Sequence, residues 1–203
     1  MHIKICGLTN RPDADRAVEA GADYVGCVLV KGTPRYVDAD KAREILHGHS
    51  GDVTGVLVFR NPTVAEVTNA IRRSGLITVQ LHDAKVDVCT TIQQMGIVVH
   101  RVIDSTQIDG RLPPDDSDRI QHLDVAGGGT GTTFDWDRTL APRAPDRVFI
   151  AGGLTPDNLA ELLRYRPWGI DVSSGIEREV GVKCPELMAR FFNVISENAG
   201  VES

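Results

Sequence analysis

The chain has 203 residues, 41% of them hydrophobic and 25% charged, a composition that fits a globular protein with a sizeable core. Its 28 Asp and Glu against 22 Lys and Arg give a net charge of −6, which argues against nucleic acid as a general partner. No apolar run reaches the roughly 18–20 residues that cross a bilayer, so no membrane association is expected.

Residues 1–10 lack the layout of a signal peptide, and a cytoplasmic location is expected. Cys6, Cys27, Cys89 and Cys184 show neither CxxC nor other metal-ligand spacing. They are expected to be free thiols, with no metal bound.

Taken in order, the chain repeats a short apolar run, a loop and an amphipathic segment. Strand-like runs fall at residues 2–6, 24–30, 53–59, 77–81, 97–103, 120–125, 147–151 and 169–172. Several are nearly continuous in Val and Ile, as parallel strands covered on both faces require. Between them lie helix starts: Asn10 before Arg11 and Pro12, Thr63 with Glu66 as a capping box, and Thr155 followed by Pro156. A helical pattern begins near Phe134, and residues 183–198 read as a last helix. The fifth crossover, residues 106–118, carries Pro113-Pro114 and many aspartates, so a short turn or loop is expected there. Eight strands with intervening helices over this length point to a (βα)8 TIM barrel of one domain. An open doubly wound sheet fits the same alternation.

Residues 119–136 form the centre of the functional reading. A strand ending at Asp124 runs into Gly127-Gly128-Gly129-Thr130-Gly131, a layout in which backbone N–H groups can receive an anion. It is neither a Walker A loop nor a clean GxGxxG. In either α/β architecture the site forms at the C-terminal ends of the strands. The polar residues there are Lys4 and Cys6, Lys31 and Arg35, Gln80, His82 and Asp83, Asp124, Gly152-Gly153, and Asp171 with Ser173-Ser174-Gly175. Each has an ordinary reading: a small buried thiol, a solvated cation, a polar strand face, a tight turn.

Together they resemble the phosphoribosylanthranilate isomerase family. The matching words are KICGLTN, AGADYVGCV, TPRYV, VQLH, GGTGTTFDW, AGGLTPDN and GIDVSSGIE, in family order along nearly the whole chain. The resemblance implies a cofactor-free TIM barrel that performs an Amadori rearrangement in tryptophan synthesis on a small phosphorylated substrate, as a monomer or a homodimer. It implies Cys6 as the general base and Asp124 as the general acid. A thiolate base calls for a lowered pKa, which Lys4 or the glycine turn can supply. A carboxylic acid calls for a raised one. Arg35 suits the anthranilate carboxylate through a bidentate contact. Gly152, Gly153, Ser173, Ser174 and Gly175 suit the phosphate, and Gln80, His82 and Asp171 line the substrate site. Gly129 and Gly131 let the loop after strand 6 close.

Some positions depart from the family pattern. Asp83 stands where glycine is usual, with the expectation that an inward-pointing carboxylate repels the substrate. His100-Arg101 replaces a common lysine, Cys184 replaces an aspartate before the last helix, and the spacer after Asp124 is short. These leave two alternatives: a diverged paralogue acting on another phosphoribosyl amine, or a non-catalytic barrel that binds a phosphorylated metabolite. A metal-dependent phosphosugar epimerase is a further rival.

Overall fold

The computed structural model describes residues 1–49, 52–105, 120–124, 133, 135–140, 144 and 146–198. Helix α1 (Arg11–Glu19) follows β1 (His2–Ile5), and its start is fixed by the Asn10 side chain accepting from the Asp13 N–H. β2 (Tyr24–Val28) leads to α2 (Ala39–Leu46), and β3 (Thr54–Arg60) leads to α3 (Val64–Ser74). The Thr63–Glu66 capping box opens α3, and Gly75 in the left-handed region closes it. Then come β4 (Thr78–His82), α4 (Val86–Gln94), β5 (Val98–Asp104) and β6 (Gln121–Asp124). The chain continues through α5 (Trp136–Leu140), β7 (Val148–Ile150), α6 (Leu159–Leu163) and β8 (Gly169–Val172). A short hairpin of β9 (Glu177–Glu179) and β10 (Val182–Lys183) precedes α7 (Pro185–Asn198).

Strands β1 to β8 pair in parallel and in sequence order, and β8 pairs back onto β1 to close the barrel. This decides for the (βα)8 barrel over the open sheet. All eight sequence-predicted strands are present, each within about two residues of its expected ends. The crossover at residues 106–118 lies outside the described residues.

The described helix after β6 begins at Trp136, within two residues of its expected start, and Phe134 itself lies outside the described residues. Two other helix starts differ from expectation. The Thr155 carbonyl accepts the first α-type bond, from Leu159, but Pro156–Asn158 form a turn that runs into α6. There Asn158 Oδ1 accepts from the Thr155 N–H, and Asn158 Nδ2 donates to the Gly153 carbonyl. Finally, Lys183 is not in the last helix but in β10, and its side chain is fully buried. Helical periodicity cannot see a two-residue strand placed directly before a helix.

Alternation along the strands separates two apolar regions. Ile3, Ile5, Val25, Leu57, Phe59, Val79 and Leu81 join the large core beneath the helices. A separate cluster of Cys6, Val56 and Val58, packed by Tyr24 and Val28, belongs to the opposite, lumenal face. That face carries the polar residues as well.

Candidate active site

The even-numbered positions of β1, β4, β6 and the odd-numbered ones of β8 point into the lumen, so the site is built in steps of two residues. Nearest the mouth stand Cys6, His82, Asp124 and Ser173. One step deeper stand Lys4, Gln80, His122 and Asp171, with His100 on β5 beside Gln80 in register. Lys4, His100, His122 and Asp171 are all buried.

A cleft opens at this mouth. Cys6, Arg35, Gln80, His82, Asp124, Gly152, Gly153, Asp171, Ser173 and Ser174 line it, together with Val28, Val30, Thr33, Val58, Arg60, Ala151 and Leu154. Ten of the thirteen candidate site residues therefore meet in one place. Gly175 is not on the lining, and its role is steric. A β-carbon there would lie 1.8 Å from the Leu154 carbonyl oxygen, so only glycine lets the turn after β8 rest on the turn after β7. Gly129 and Gly131 lie outside the described residues.

Two glycines in the left-handed region, Gly152 (φ 88) and Gly153 (φ 63), turn the chain sharply after β7. After β8 a single 3-10 turn (Ser174–Ile176) does the same. Gly7 (φ 71) draws the first, second and eighth loops together: a β-carbon on it would meet Ser173 Oγ at 2.6 Å and Arg35 Cδ at 2.7 Å.

The electrostatics correct one expectation. Cys6 was expected to have a lowered pKa, but burial pushes its thiol up, and the Lys4 charge offsets this only in part. The resting sulfur is a thiol. Lys4 is itself held charged: burial works against its ammonium, but Asp171 and Cys6 outweigh burial and raise its pKa. Burial also opposes the Asp171 carboxylate, yet Lys4 and the His122 N–H hold it at about 2. His82 (about 3) and His100 (about 2) are kept neutral chiefly by desolvation, and burial lowers His122 as well despite Asp171.

Arg35 is not an idle cation at the cleft wall. Glu177 takes both its Nε and Nη2 hydrogen bonds, and Glu177 Oε1 also accepts from Lys183 Nζ at 2.9 Å. Burial raises the Glu177 carboxyl, but these two cations win and leave it below the usual range. Lys183 also donates to the Ser173 carbonyl. The sequence reading passed over Glu177 and Lys183, although GIDVSSGIE ends on that glutamate. Asp83 is not on the cleft lining: it is exposed, adopts φ 52 as the usual glycine would, and pairs with Arg60 at 3.5 Å. The inward-pointing carboxylate that the expected repulsion required is not what the fold presents.

Among the described residues, no group of three or more His, Cys, Asp or Glu is placed to hold a metal ion, and no helix is long and apolar enough to cross a membrane.

Comparison with known proteins agrees with this geometry. Residues 3–194 match the family model described as N-(5'phosphoribosyl)anthranilate (PRA) isomerase. A curated N-(5'-phosphoribosyl)anthranilate isomerase from Geotalea daltonii is 35% identical over 211 aligned positions, covering 98% of each chain. The crystal structure of phosphoribosyl anthranilate isomerase from Thermus thermophilus superposes with a TM-score of 0.85 at 29% identity, over 97% of this chain and 99% of that one. A phosphoribosyl anthranilate isomerase in complex with reduced 1-(o-carboxyphenylamino)-1-deoxyribulose 5-phosphate gives 0.77 at 27% identity, over the same shares. With strand order, cleft and full-length similarity in agreement, the chain belongs to the N-(5'-phosphoribosyl)anthranilate isomerase family.

Proposed function

We propose that this chain, as one (βα)8-barrel domain in the cytoplasm, converts N-(5-phosphoribosyl)anthranilate to 1-(2-carboxyphenylamino)-1-deoxyribulose 5-phosphate in tryptophan biosynthesis. No cofactor is needed. The observation that carries this reading is that Cys6 and Asp124 line one cleft together with two glycine- and serine-rich turns.

The reaction is an internal redox exchange driven by proton transfers. Asp124, as acid, protonates the furanose ring oxygen, and the C1–O bond breaks to leave an iminium. Cys6, as base, removes the C2 proton, and the resulting enolamine tautomerises to the ketone. Because the resting sulfur is a thiol, Cys6 must lose its proton before it acts, and the Lys4 ammonium beside it stabilises the thiolate.

The turns at Gly152-Gly153 and Ser173-Ser174 offer backbone N–H groups to the phosphate, the position such barrels use after strands 7 and 8. Gly175 supports this cradle by allowing the close approach to Leu154. Arg35 takes the anthranilate carboxylate. With Nε and one Nη2 hydrogen on Glu177, the Nη1–Nη2 edge of the guanidinium keeps the two parallel N–H donors that a bidentate contact uses. Gln80, His82 and Asp171 bound the sugar and aryl portions.

The test is an assay on substrate generated in situ, following the loss of its fluorescence. Wild-type protein is expected to consume it, and folded Asp124→Asn protein is not. Folded wild-type protein that leaves the substrate untouched overturns the reading.

A further inference from the structure

Beneath Cys6 four ionisable side chains are buried, of which the acid–base reading leaves the two histidines without a role. The four form one chain of contacts across the lumen. Lys4 Nζ donates to Asp171 Oδ2 at 2.7 Å, His122 Nδ1 lies 3.0 Å from the same oxygen, and His100 Nδ1 lies 3.2 Å from His122 Nε2.

Its hydrogen-bond direction is forced. A charged carboxylate only accepts, so His122 carries its proton on Nδ1 and presents Nε2 as an acceptor. His100 then donates from Nδ1, and its Nε2, buried without a partner among the described residues, presents its lone pair. Rings pack around the pair, with His100 and Phe149 stacked on His122 at 5.3 and 4.7 Å. This environment disfavours an imidazolium, so Asp171 receives a cation from one side and a neutral N–H from the other.

The other end of the chain reaches Cys6. Lys4 Nζ and Cys6 Sγ converge over the bare Cα of Gly26, where a β-carbon would lie 3.4 Å from the nitrogen and 3.3 Å from the sulfur. Lys4 is completely buried, so its placement depends on what holds Asp171.

We propose that His122 is a positioning residue for the Cys6 base, acting through Asp171 and Lys4. Both donors meet on Oδ2, while Oδ1 is buried without a partner among the described residues. Loss of the imidazole N–H frees the carboxylate to turn and engage Lys4 with both oxygens, drawing the ammonium away from the sulfur. The proposal rests on Cys6 being the base. The charged or titratable groups that face Cys6 are Lys4, Asp171, Lys183, Arg35 and Cys27. Those that face His122 are Asp171, Lys4, His100 and His82. Lys4 and Asp171 belong to both sets and link His122 to Cys6.

The test measures alkylation of Cys6 by iodoacetamide, located by mass spectrometry, from about pH 6 to about pH 9 in wild type, His122→Leu and His122→Asn. Only the thiolate reacts, so the rate reports its population. His122→Leu is expected to slow alkylation at a given pH roughly tenfold, an upward displacement of about one pH unit, and to lower kcat by a similar factor with little change in KM. His122→Asn, whose amide N–H replaces Nδ1–H, is expected to recover most of the loss. A folded His122→Leu with the wild-type profile, or equal impairment in both variants, overturns the proposal. Where His122→Leu does not fold, nitrogen NMR of wild-type histidines decides: an Nδ1–H tautomer of His122 upholds the proposal, and an Nε2–H tautomer or an imidazolium overturns it. Alkylation needs no turnover, so a wild-type protein without isomerase activity sinks the proposed function and leaves this result readable.

Discussion

Arg35 grips Glu177 through two parallel hydrogen bonds, Nε to Oε1 at 2.8 Å and Nη2 to Oε2 at 2.7 Å. Lys183 reaches the same carboxylate from the other side, so one anion whose side chain is buried neutralises two cations, one from the segment after β2 and one from β10. Replacing it leaves both uncompensated. We expect Glu177→Gln to lower stability by about 3 kcal/mol, measured by urea unfolding. An unchanged midpoint and slope would show that the network is screened by solvent.

Three lumenal histidines give a second prediction. His82, His100 and His122 all have pKa values below 6.5 in the fold, whereas unfolding restores the ordinary value. Below about pH 6.5 the unfolded chain therefore binds protons that the folded chain refuses, and stability falls with falling pH. His82 and His100 each contribute about 1.4 kcal/mol per pH unit once the unfolded form is fully protonated, until their folded forms titrate near pH 2–3, and His122 acts in the same direction. Unfolding free energies taken from about pH 7 down to pH 4 should steepen accordingly, and less so in His100→Phe. A flat profile over that range would contradict neutral buried imidazoles.

Gly26 separates strand chemistry from strand packing. A β-carbon at 3.3–3.4 Å from Cys6 Sγ and Lys4 Nζ is tight but not impossible, and the backbone there is ordinary β structure. Gly26→Ala is expected to fold, with stability within about 1 kcal/mol of wild type. Its turnover should fall by at least roughly tenfold, because the thiol and ammonium must part. Full activity would mean that their closeness is incidental.

At the start of α7, the Cys184 carbonyl accepts from the Met188 N–H, while its thiol is spent on Glu186 at 3.0 Å. A thiol is a poor helix cap. Cys184→Ser is expected to gain about 0.5–1 kcal/mol, seen as a raised thermal midpoint with unchanged kcat. A loss of stability would show that the thiol contact matters more than the cap.

The eight strands were legible because parallel strands, covered by helices outside and filled within, are written as short runs of Val, Ile and Leu. The α1 and α3 caps were legible because their chemistry is local. The mouth residues were legible as words at strand ends. What stayed hidden was how the layer below is joined. Lys4, Gln80 and Asp171 were named at strand ends, but His122 was not, since a residue two before a mouth residue is from sequence alone also how a solvated strand face reads. Only closure of the barrel turns that face inward. Closure also explains Cys6, whose neighbour Lys4 announced a lowered pKa while the burial that outweighs it was invisible. Arg35 likewise looked unengaged, since its partner Glu177 is 142 positions away.

The contact between Lys4 and Asp171 joins residues 167 positions apart. During synthesis, the first strand emerges with an ammonium that has no counter-charge until the eighth strand follows. Enclosing that charge early costs several kcal/mol, so a nascent barrel lacking β8 gains little by sealing its lumen. Fragments that end before residue 169 should therefore remain open and protease-sensitive, and a separately supplied C-terminal piece should close them. The ion pair beneath the site thus also sets the order of assembly, with the oldest strand completed by the youngest.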